Sequence, residues 1–489
     1  VALLWAGTDD GLIWNTHDGG LHWTNVTPPA LTPWSKVSVI EASHTDTAEA
    51  YAAVNRFRLD DLRPHVYRTR DGGKTWAEVV NGIPENEVVN AVHEDPVKKG
   101  LLFAGTERSV YVSFDDGDHW QSLRLDLPPT AVRDLTIHEN DLVVGTHGRG
   151  FWILDDMARL REFTAALPSS THLFRPATAY RVRWNNNTDT PIPPDEPAGE
   201  NPPDGAIIDY TSAADVKRVE IEICDSADAL VRRFASDDQP PVVDSAVNIP
   251  LYWIRPPQTV GTSAGSHRLV WDLHGAPVAV LDHGYPISAV AHNTPLEPRG
   301  PLVPPGRYLV TLTAGVTKVT VPLVVKMDPR VPVTTAALKR QYVLATALAA
   351  DLKRDSDALA SVRAIRRQLA ALRTNPAADS LKPAIDSADT QLAGFESGRK
   401  GLAGLNGDLA QVYGIIEGAD AAPTSQAERA VTDLKIDLEL TLNLTQSFVQ
   451  ALVPALNRRL KNAGLPALSL GAREPGQGHV GNGDGDDEP

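Results

Sequence analysis

One eight-residue pattern recurs three times near the start of the sequence and restricts what the chain can fold into. The pattern reads Ser/Thr-x-Asp-x-Gly-x-x-Trp and occupies residues 16–23, 69–76 and 113–120. The starts of these segments lie 53 and 44 residues apart. Repeats of ~40–50 residues are typical of β-propellers, in which each repeat forms one four-stranded blade. The pattern therefore predicts propeller blades in the first part of the chain.

A second, apolar element recurs alongside the motif. Residues 4–8 read LWAGT, residues 102–106 read LFAGT and residues 142–146 read LVVGT, while YAAV at residues 51–54 holds the matching place in the second repeat. Short apolar runs that close with a turn signal are expected of an inner strand covered on both faces. The fourth repeat ends in FWILDD at residues 151–156, where the eight-residue motif has degenerated.

The conserved positions of the motif suit a tight turn between two strands. The aspartate can accept hydrogen bonds from turn amides, the glycine supplies a positive φ, and the Ser/Thr hydroxyl binds the same turn. The tryptophan packs its ring between sheets. We therefore predict structural roles, and no catalytic role, for Asp18, Gly20, Trp23, Asp71, Gly73, Trp76, Asp115, Gly117 and Trp120.

This run of motifs, closed by GTHGRGFWILDD at residues 145–156, resembles the bacterial sortilin-like proteins with Asp-box, or BNR, repeats. Members are often labelled glycosyl hydrolases. The resemblance implies an exported protein (periplasmic, cell-surface or secreted) with most of its propeller upstream of this chain, followed by an Ig-like sandwich and a helical segment. Because sialidases, xyloglucanases and non-enzymatic sortilins all carry the Asp-box, the motif does not establish catalysis.

Changes in periodicity and composition divide the chain into five parts. Residues 1–160 are predicted to be the C-terminal blades of an Asp-box propeller, and the Pro- and Asn-rich residues 161–205 a linker. Period-2 alternation, as in residues 219–224, predicts an Ig-like β-sandwich over 206–332. From Thr334 a 3.6-residue period predicts an antiparallel α-helical hairpin or bundle over 333–470. The Gly/Asp-rich residues 471–489 predict a disordered acidic tail. The predicted fold class is thus mainly β and multi-domain.

Bulk properties exclude several classes of function. The formal net charge of −16 argues against nucleic acid as a partner, since nucleic-acid binding needs a basic surface. A single cysteine, Cys224, rules out an internal disulfide and a cysteine-based zinc site. No run of 18 apolar residues predicts a membrane span, and no signal peptide is visible at Val1, where we expect the chain to begin inside a larger gene product. The sequence predicts no cofactor and no metal site.

Four residues are candidates for a binding surface on the propeller. Glu94 lies in the sequence VHEDP at residues 92–96, Arg108 lies in a predicted blade turn, and His147 and Arg149 lie in the GTHGRG stretch. Asp95-Pro96 also suits a turn between blades, which is the commoner use of that dipeptide. No pair of carboxylates has a spacing that singles it out as the acid and base of a glycosidase, so no catalytic residue is predicted.

Three functions remain open at this point. The first is a non-catalytic binding or scaffolding protein of an exported assembly, whose propeller loops present a surface for a protein, peptide or glycan. The second is a glycoside hydrolase, sialidase- or xyloglucanase-like, with its catalytic carboxylates in upstream blades. The third is a structural subunit that forms oligomers through its helices. In each case the propeller is expected to be completed by upstream blades or by a partner chain.

Overall fold

The fold is that of a computed structural model. It describes residues 2–163, 170–183, 202–240, 247–281, 283–285, 289, 294–398 and 400–469, so the predicted tail and most of the Pro-rich part of the predicted linker lie outside the described residues. The described chain forms two compact units. Unit 1 consists of Val1–Ala177, Asp209–Ala214 and Ala264–Ser266, and unit 2 of Thr178–Ile208, Asp215–Ser263 and His267–Pro489. Each unit is treated separately below.

Unit 1 contains four small antiparallel sheets that follow one another along the chain and resemble propeller blades. We call them blades I–IV: β1-β2-β3, β4-β5-β6-β7, β8-β9-β10-β11 and β12-β13-β14. Their strands are β1 (Leu4–Gly7), β2 (Ile13–Thr16), β3 (Thr24–Asn25), β4 (Lys36–Ala42), β5 (Ala50–Asn55), β6 (Val66–Thr69), β7 (Ala77–Glu78), β8 (Val89–Glu94), β9 (Leu102–Thr106), β10 (Val110–Ser113), β11 (Gln121–Ser122), β12 (Val132–His138), β13 (Asp141–Thr146) and β14 (Phe151–Leu154). A short helix, α1 (Ala158–Glu162), follows blade IV.

The blades share one internal geometry. The recurring apolar runs are β1, β9 and β13, and β9 lies between β8 and β10 with every residue buried. Each Asp-box forms the turn between the last two strands of its blade, as between β10 and β11. The first strands β4, β8 and β12 each contain a register shift at the same point, which places Ser38, Asn90 and Arg133 in β-bulges. Alternating apolar side chains of neighbouring blades fill the space between the sheets.

The Asp-boxes of blades II and III also join each of these blades to the blade before it. The Trp76 Nε1–H donates to the Val26 carbonyl oxygen at 2.8 Å, and the Trp120 Nε1–H donates to the Val79 carbonyl oxygen at 2.9 Å. The motif glycine permits this approach, since a Cβ on Gly73 would lie 2.7 Å from the Val26 side chain. Val26 and Val79 each follow the last strand of their blade. The same tryptophan-to-carbonyl contact therefore joins blade II to blade I and blade III to blade II.

Two further sheets follow the blades. One has the order β15-β17-β20 and the other β16-β22-β21-β18-β19. Their strands are β15 (His172–Leu173), β16 (Ala179–Arg181), β17 (Ala206–Ser212), β18 (Val219–Asp225), β19 (Leu230–Ala235), β20 (Gly265–Trp271), β21 (Gly306–Ala314) and β22 (Thr317–Met327). Two antiparallel hairpins, β18 with β19 and β21 with β22, lie in the second of these sheets. Trp271 is fully buried and packs edge-on against Tyr308, as expected of a core aromatic residue.

Four helices complete unit 2: α2 (Thr335–Arg373), α3 (Lys382–Ser397), α4 (Leu402–Glu417) and α5 (Ser425–Asn462). Thr334 caps the N-terminus of α2, because its hydroxyl oxygen accepts a hydrogen bond from the Ala337 amide at 3.2 Å. α5 continues through Pro454 and does not end there. Two apolar clusters fill the space between the helices. Among the described helices, none combines the length and the apolar character that a membrane span requires.

A buried arginine links the second sheet to the helices within unit 2. The Arg181 side chain is fully buried on β16. Its guanidinium donates to the Asp420 carboxylate at 2.6 Å and to the Gln341 side-chain oxygen at 3.0 Å. It also donates to the carbonyl oxygens of Leu302 and Val303, each at 2.7 Å. Because every such donor would be costly to bury without an acceptor, this network fixes the strand, the loop and helix α2 in one arrangement.

Candidate functional site

The three Asp-box carboxylates are occupied within their own turns. Asp18 Oδ1 accepts hydrogen bonds from the backbone amides of Leu21 and His22 at 3.0 and 2.9 Å. Asp71 and Asp115 accept from the amides four residues later, at 2.9 and 2.8 Å. The His22 amide and ring lower the pKa of Asp18 to about 2. A carboxylate that is ionised and saturated with local donors is poorly suited to general acid catalysis.

The motif glycines adopt the conformation that the turn requires. Gly20, Gly73 and Gly117 have φ values of 100°, 85° and 88°, which a side chain would strain. The motif tryptophans differ in environment. Trp120 is 3% exposed between blades II and III, whereas Trp23 is 42% exposed and donates only to the Gly20 carbonyl oxygen of its own turn. Thus the motif tryptophan is buried in blade III and half-buried in blade II, where Trp76 also contacts the preceding blade, but it is exposed in blade I.

The strand directions give the blades two distinct ends. The Asp-box turns lie at one end of the blades, which we call the Asp-box end. The first strands β4, β8 and β12 begin at the opposite end, where their bulges lie, and we call this the bulge end. Arg108 lies in the β9–β10 turn, and His147 and Arg149 lie in the β13–β14 turn, so all three are at the bulge end. Glu94 is the last residue of β8 and lies at the Asp-box end. The structure therefore does not bring the four candidate residues together.

The surroundings of Glu94 indicate a structural role for its side chain. Its side chain is almost fully buried, and Oε2 accepts a hydrogen bond from the His44 amide at 2.7 Å. Asp95 caps the following turn, because Oδ1 accepts from the amides of Val97 and Lys98, both at 2.7 Å. This turn connects β8 to β9 within blade III. The expectation that Asp95-Pro96 forms a turn between blades was wrong, since the strand after Pro96 pairs with the strand before it.

A polar network crosses the bulge end. The Asn55 Nδ2–H donates to Asn90 Oδ1 at 2.8 Å, and Asn90 Nδ2–H donates to Glu107 Oε1 at 3.1 Å. Arg133 forms an ion pair with the same Glu107 oxygen at 2.7 Å. Asn90 and Arg133 are bulge residues, and bulges often re-aim a side chain beside a functional site. Sequence reasoning missed both, because nothing in the local sequence marks where a strand takes up an extra residue.

Hydrogen bonds connect neighbouring blades at the bulge end, where the Asn55–Asn90 bond already joins blade II to blade III. The Trp34 amide donates to the Asp10 carbonyl oxygen at 2.8 Å, and the Thr130 amide to the Arg108 carbonyl oxygen at 3.3 Å. The His147 amide donates to the Ala131 carbonyl oxygen at 2.8 Å. These loops expose aromatic and cationic side chains together. We define the bulge-end surface as Trp34, Phe57, Arg108, Arg133, His147, Arg149 and Phe151.

Two of these cations are available to a ligand. Arg108 and Arg149 are exposed, and within the described part of the chain neither guanidinium lies within ion-pair distance of a carboxylate. Arg133 is 47% exposed, although Glu107 already pairs with it. Exposed guanidinium groups present parallel N–H donors that fit carboxylates and phosphates. The surface is thus suited to an anionic group flanked by apolar ones.

A histidine bridges carboxylates from neighbouring blades between the first strands. His93 Nδ1 lies 3.2 Å from Glu41 Oε2, and Nε2 lies 3.5 Å from Asp134 Oδ1. Burial lowers the pKa of His93, but the two carboxylates outweigh burial, so the pKa is raised overall. Within the described ranges, no three His, Cys, Asp or Glu side chains are arranged to hold a metal ion.

Part of the blades matches a known protein family in sequence. A family model described as sortilin, neurotensin receptor 3, matches residues 64–146, so this stretch is sortilin-like in sequence. The match covers blade III completely and parts of blades II and IV. No curated protein matches the chain significantly.

Several solved structures are similar to part of this chain. The GH74 xyloglucanase from Xanthomonas campestris has 18% identity and a TM-score of 0.27, over 34% of this chain and 27% of that one. YCF48 bound to D1 peptide has 17% identity and a TM-score of 0.25, over 31% and 47%. The Niastella koreensis GH74 enzyme has 16% identity and a TM-score of 0.24, over 29% and 24%. This chain thus spans less than half the length of each of these proteins.

Proposed function

We propose that the chain is part of a non-catalytic binding protein, and that the bulge-end surface binds an extended peptide segment of a protein partner. The observation that carries this proposal is the concentration of exposed aromatic residues and exposed arginines on one continuous set of loops. Trp, Tyr and Arg dominate the energetics of protein interfaces, since they combine a large contact area with directional donors. The segment we propose carries Asp or Glu side chains next to apolar ones.

Charge supports a peptide over a polyanion. The chain has a formal net charge of −16, so a long, uniformly anionic ligand would be repelled outside this small cationic region. A short acidic segment can place one or two carboxylates on Arg108 and Arg149 without meeting the acidic remainder. The Trp34, Phe57 and Phe151 rings, which are exposed at the same end of the blades, are available for its apolar side chains.

Selection from a displayed library of random peptides tests the proposal. The wild-type chain should enrich peptides that contain acidic and apolar residues. The double variant Arg108→Glu/Arg149→Glu should lose at least tenfold in affinity for the selected peptides, because two guanidinium groups become repulsive carboxylates. Lys74→Glu is the matched control, since Lys74 is exposed in an Asp-box turn at the opposite end; it should bind as the wild type does.

The rival glycoside hydrolase requires catalytic carboxylates outside this chain. A full-length protein that includes any upstream blades should therefore be incubated with a panel of polysaccharides, xyloglucan among them. Release of reducing sugar would contradict the binding proposal, as would a failure of the wild-type chain to enrich any peptide. Equal binding by the double variant and the control would show that the ligand contacts another surface.

We make three further proposals, which concern the fold after the blades, the location of the protein and the completion of the propeller. We propose that the two sheets after the blades form an Ig-like sandwich, which the packing of Trp271 on Tyr308 supports. We propose an exported location, which rests on the resemblance to sortilin-like proteins. We also propose that a further blade, from an upstream segment or a partner chain, covers blade I. The support is Trp23, which lies exposed at the position where Trp76 and Trp120 contact a preceding blade.

A further inference from the structure

The first strands of blades II, III and IV are linked by a row of charged side chains with a histidine in the middle. His93 lies on β8, in blade III. Its Nδ1 atom lies 3.2 Å from Glu41 Oε2 on β4, and its Nε2 atom lies 3.5 Å from Asp134 Oδ1 on β12. One ring therefore faces a carboxylate of the blade before it and a carboxylate of the blade after it.

The surroundings of His93 leave these two carboxylates as the charged groups that act most strongly on the ring. The other strands that pack against β8 are β5 and β9, and neither carries a charged side chain. Within the described part of the chain, the buried Nε2 atom of His93 makes no hydrogen bond. A second imidazole, His44, faces Glu41 as well, since its Nε2 atom lies 3.3 Å from Glu41 Oε1.

The chemistry of imidazole makes this arrangement depend on the charge of the ring. A neutral imidazole has one N–H and one lone pair, so either tautomer directs a lone pair at one of the two carboxylates. A protonated imidazolium presents an N–H to both. Burial alone would lower the pKa of His93, but Glu41 and Asp134 raise it overall above its usual value of 6.5. The charged ring is therefore the form that fits this site.

We propose that His93 is a pH-sensitive latch that joins the first strands of blades II, III and IV while its ring is protonated. The latch is closed below the usual histidine pKa and opens as the pH rises through the higher pKa of the folded state. Once the ring is neutral, one carboxylate contact becomes repulsive. The Asp134 side chain is 74% exposed and that of Glu41 only 16%, so Asp134 is free to turn into solvent and the contact between β8 and β12 loosens.

The latch also bears on the bulge-end surface, because Asp134 directly follows Arg133 in β12. Opening would release one residue next to that surface. The experiments below use the full chain without a ligand. They therefore remain informative even if the proposed peptide binding is wrong.

Titration of the histidine rings by nuclear magnetic resonance tests the geometry. The His93 signal, assigned by its loss in His93→Gln, should titrate with a midpoint above pH 6.5. Asp134→Asn should lower this midpoint, because one of the two carboxylates is removed, and the exposure of Asp134 should allow the variant to fold. His138→Gln, at an exposed position of β12, is the matched control and should leave the midpoint unchanged. A wild-type midpoint at or below 6.5 would overturn the proposal.

Amide hydrogen exchange tests whether the latch holds the strands together. After correction for the intrinsic rate, peptides from β12 should lose protection about threefold or more between about pH 6 and about pH 8.5. His93→Gln should remove this dependence. His44→Gln should retain it, because within the described residues His44 faces Glu41 alone. Equal protection of wild-type β12 at both pH values would overturn the proposal, as would an unchanged pH dependence in His93→Gln.

Discussion

Trp23, Trp76 and Trp120 occupy one position of one motif, yet they differ in what surrounds them. Trp120 is buried and donates to blade II, and Trp76 reaches blade I and meets Trp5 edge-on at 6.1 Å between ring centroids. Trp23 remains 42% exposed. The contribution of each ring to stability therefore depends on whether a preceding blade covers it and cannot be read from the motif.

Alanine substitutions should separate these environments. Trp120→Ala should lower the free energy of unfolding by ~3–5 kcal/mol, because it leaves a cavity between two blades and an unpaired carbonyl at Val79. Trp23→Ala should cost about 1 kcal/mol, since much of that ring is already in water. Urea unfolding followed by tryptophan fluorescence gives both values. Equal losses would mean that Trp23 is covered in solution.

The residues of the Asp-box could be assigned from sequence, but the bulge residues could not. The contacts of Asp18, Asp71 and Asp115 lie within four residues along the chain, so the motif determines them. Asn90 and Arg133 acquire their positions from register shifts, which arise only when β8 and β12 pair with the next strands. Arg108, His147 and Arg149 lie in turns between strands that the sequence predicts, and the strand order places these turns at the bulge end, whereas Asn90 and Arg133 were missed.

At the scale of the elements, helix α2 is unusual because a charged residue, Asp355, lies within its buried apolar stripe. The Asp355 side chain is fully buried, and Oδ2 accepts a hydrogen bond from Asn406 at 3.1 Å, while Oδ1 has no hydrogen-bond partner. Burial raises the pKa of Asp355 to about 7. The amide of Leu281 in turn donates to Asn406 at 2.9 Å. Asp355 interrupts the apolar period of the helix, but its burial depends on how α4 packs against α2.

Stability of the helices should fall as pH rises through this range. The folded pKa of Asp355 exceeds its unfolded value of 3.8. Between about pH 4 and pH 7 the folded state therefore binds more protons than the unfolded state. The free energy of unfolding falls there by up to ~1.4 kcal/mol for each unit rise in pH. Asp355→Asn should remove most of this slope and stabilise the protein by about 2–4 kcal/mol at pH 8. Urea unfolding monitored by helical circular dichroism at pH 5 and pH 8 measures both effects.

Asp357→Asn provides the control for this experiment. Asp357 lies two residues away on the same helix but is exposed, and its carboxylate pairs with Lys353. Loss of an exposed ion pair should change stability by less than about 1 kcal/mol at either pH. If Asp355→Asn and the wild type gave parallel pH profiles, the buried carboxyl would not be the source of the dependence.

At the scale of the whole molecule, the blades of unit 1 are unequally enclosed. β9 lies inside its sheet and between two other blades, whereas β1 and β14 are edge strands of blades I and IV. Phe151 and Ile153 on β14 are mostly exposed. Edge strands of this kind carry backbone groups without a sheet partner and invite pairing with another strand.

Amide hydrogen exchange should reflect this inequality. In the isolated chain, the amides of β9 should exchange slowest, and those of β1 and β14 should exchange faster by at least tenfold, because edge strands open without disrupting the core. Mass spectrometry of peptides from each strand measures the gradient. Protection of β14 equal to that of β9 would reveal that another segment pairs with the edge.

The contact between Trp76 and Val26, repeated by Trp120 and Val79, has an evolutionary consequence. Blade II carries both halves of the joint: Trp76 and Gly73 reach back to blade I, and Val79 receives Trp120 of blade III. A duplicated gene segment that encodes this blade would therefore arrive with compatible surfaces on both sides. Growth or shrinkage of the array by copies of blade II needs no compensating mutation at the junctions, whereas loss of its valine or its glycine would interrupt the series at that point.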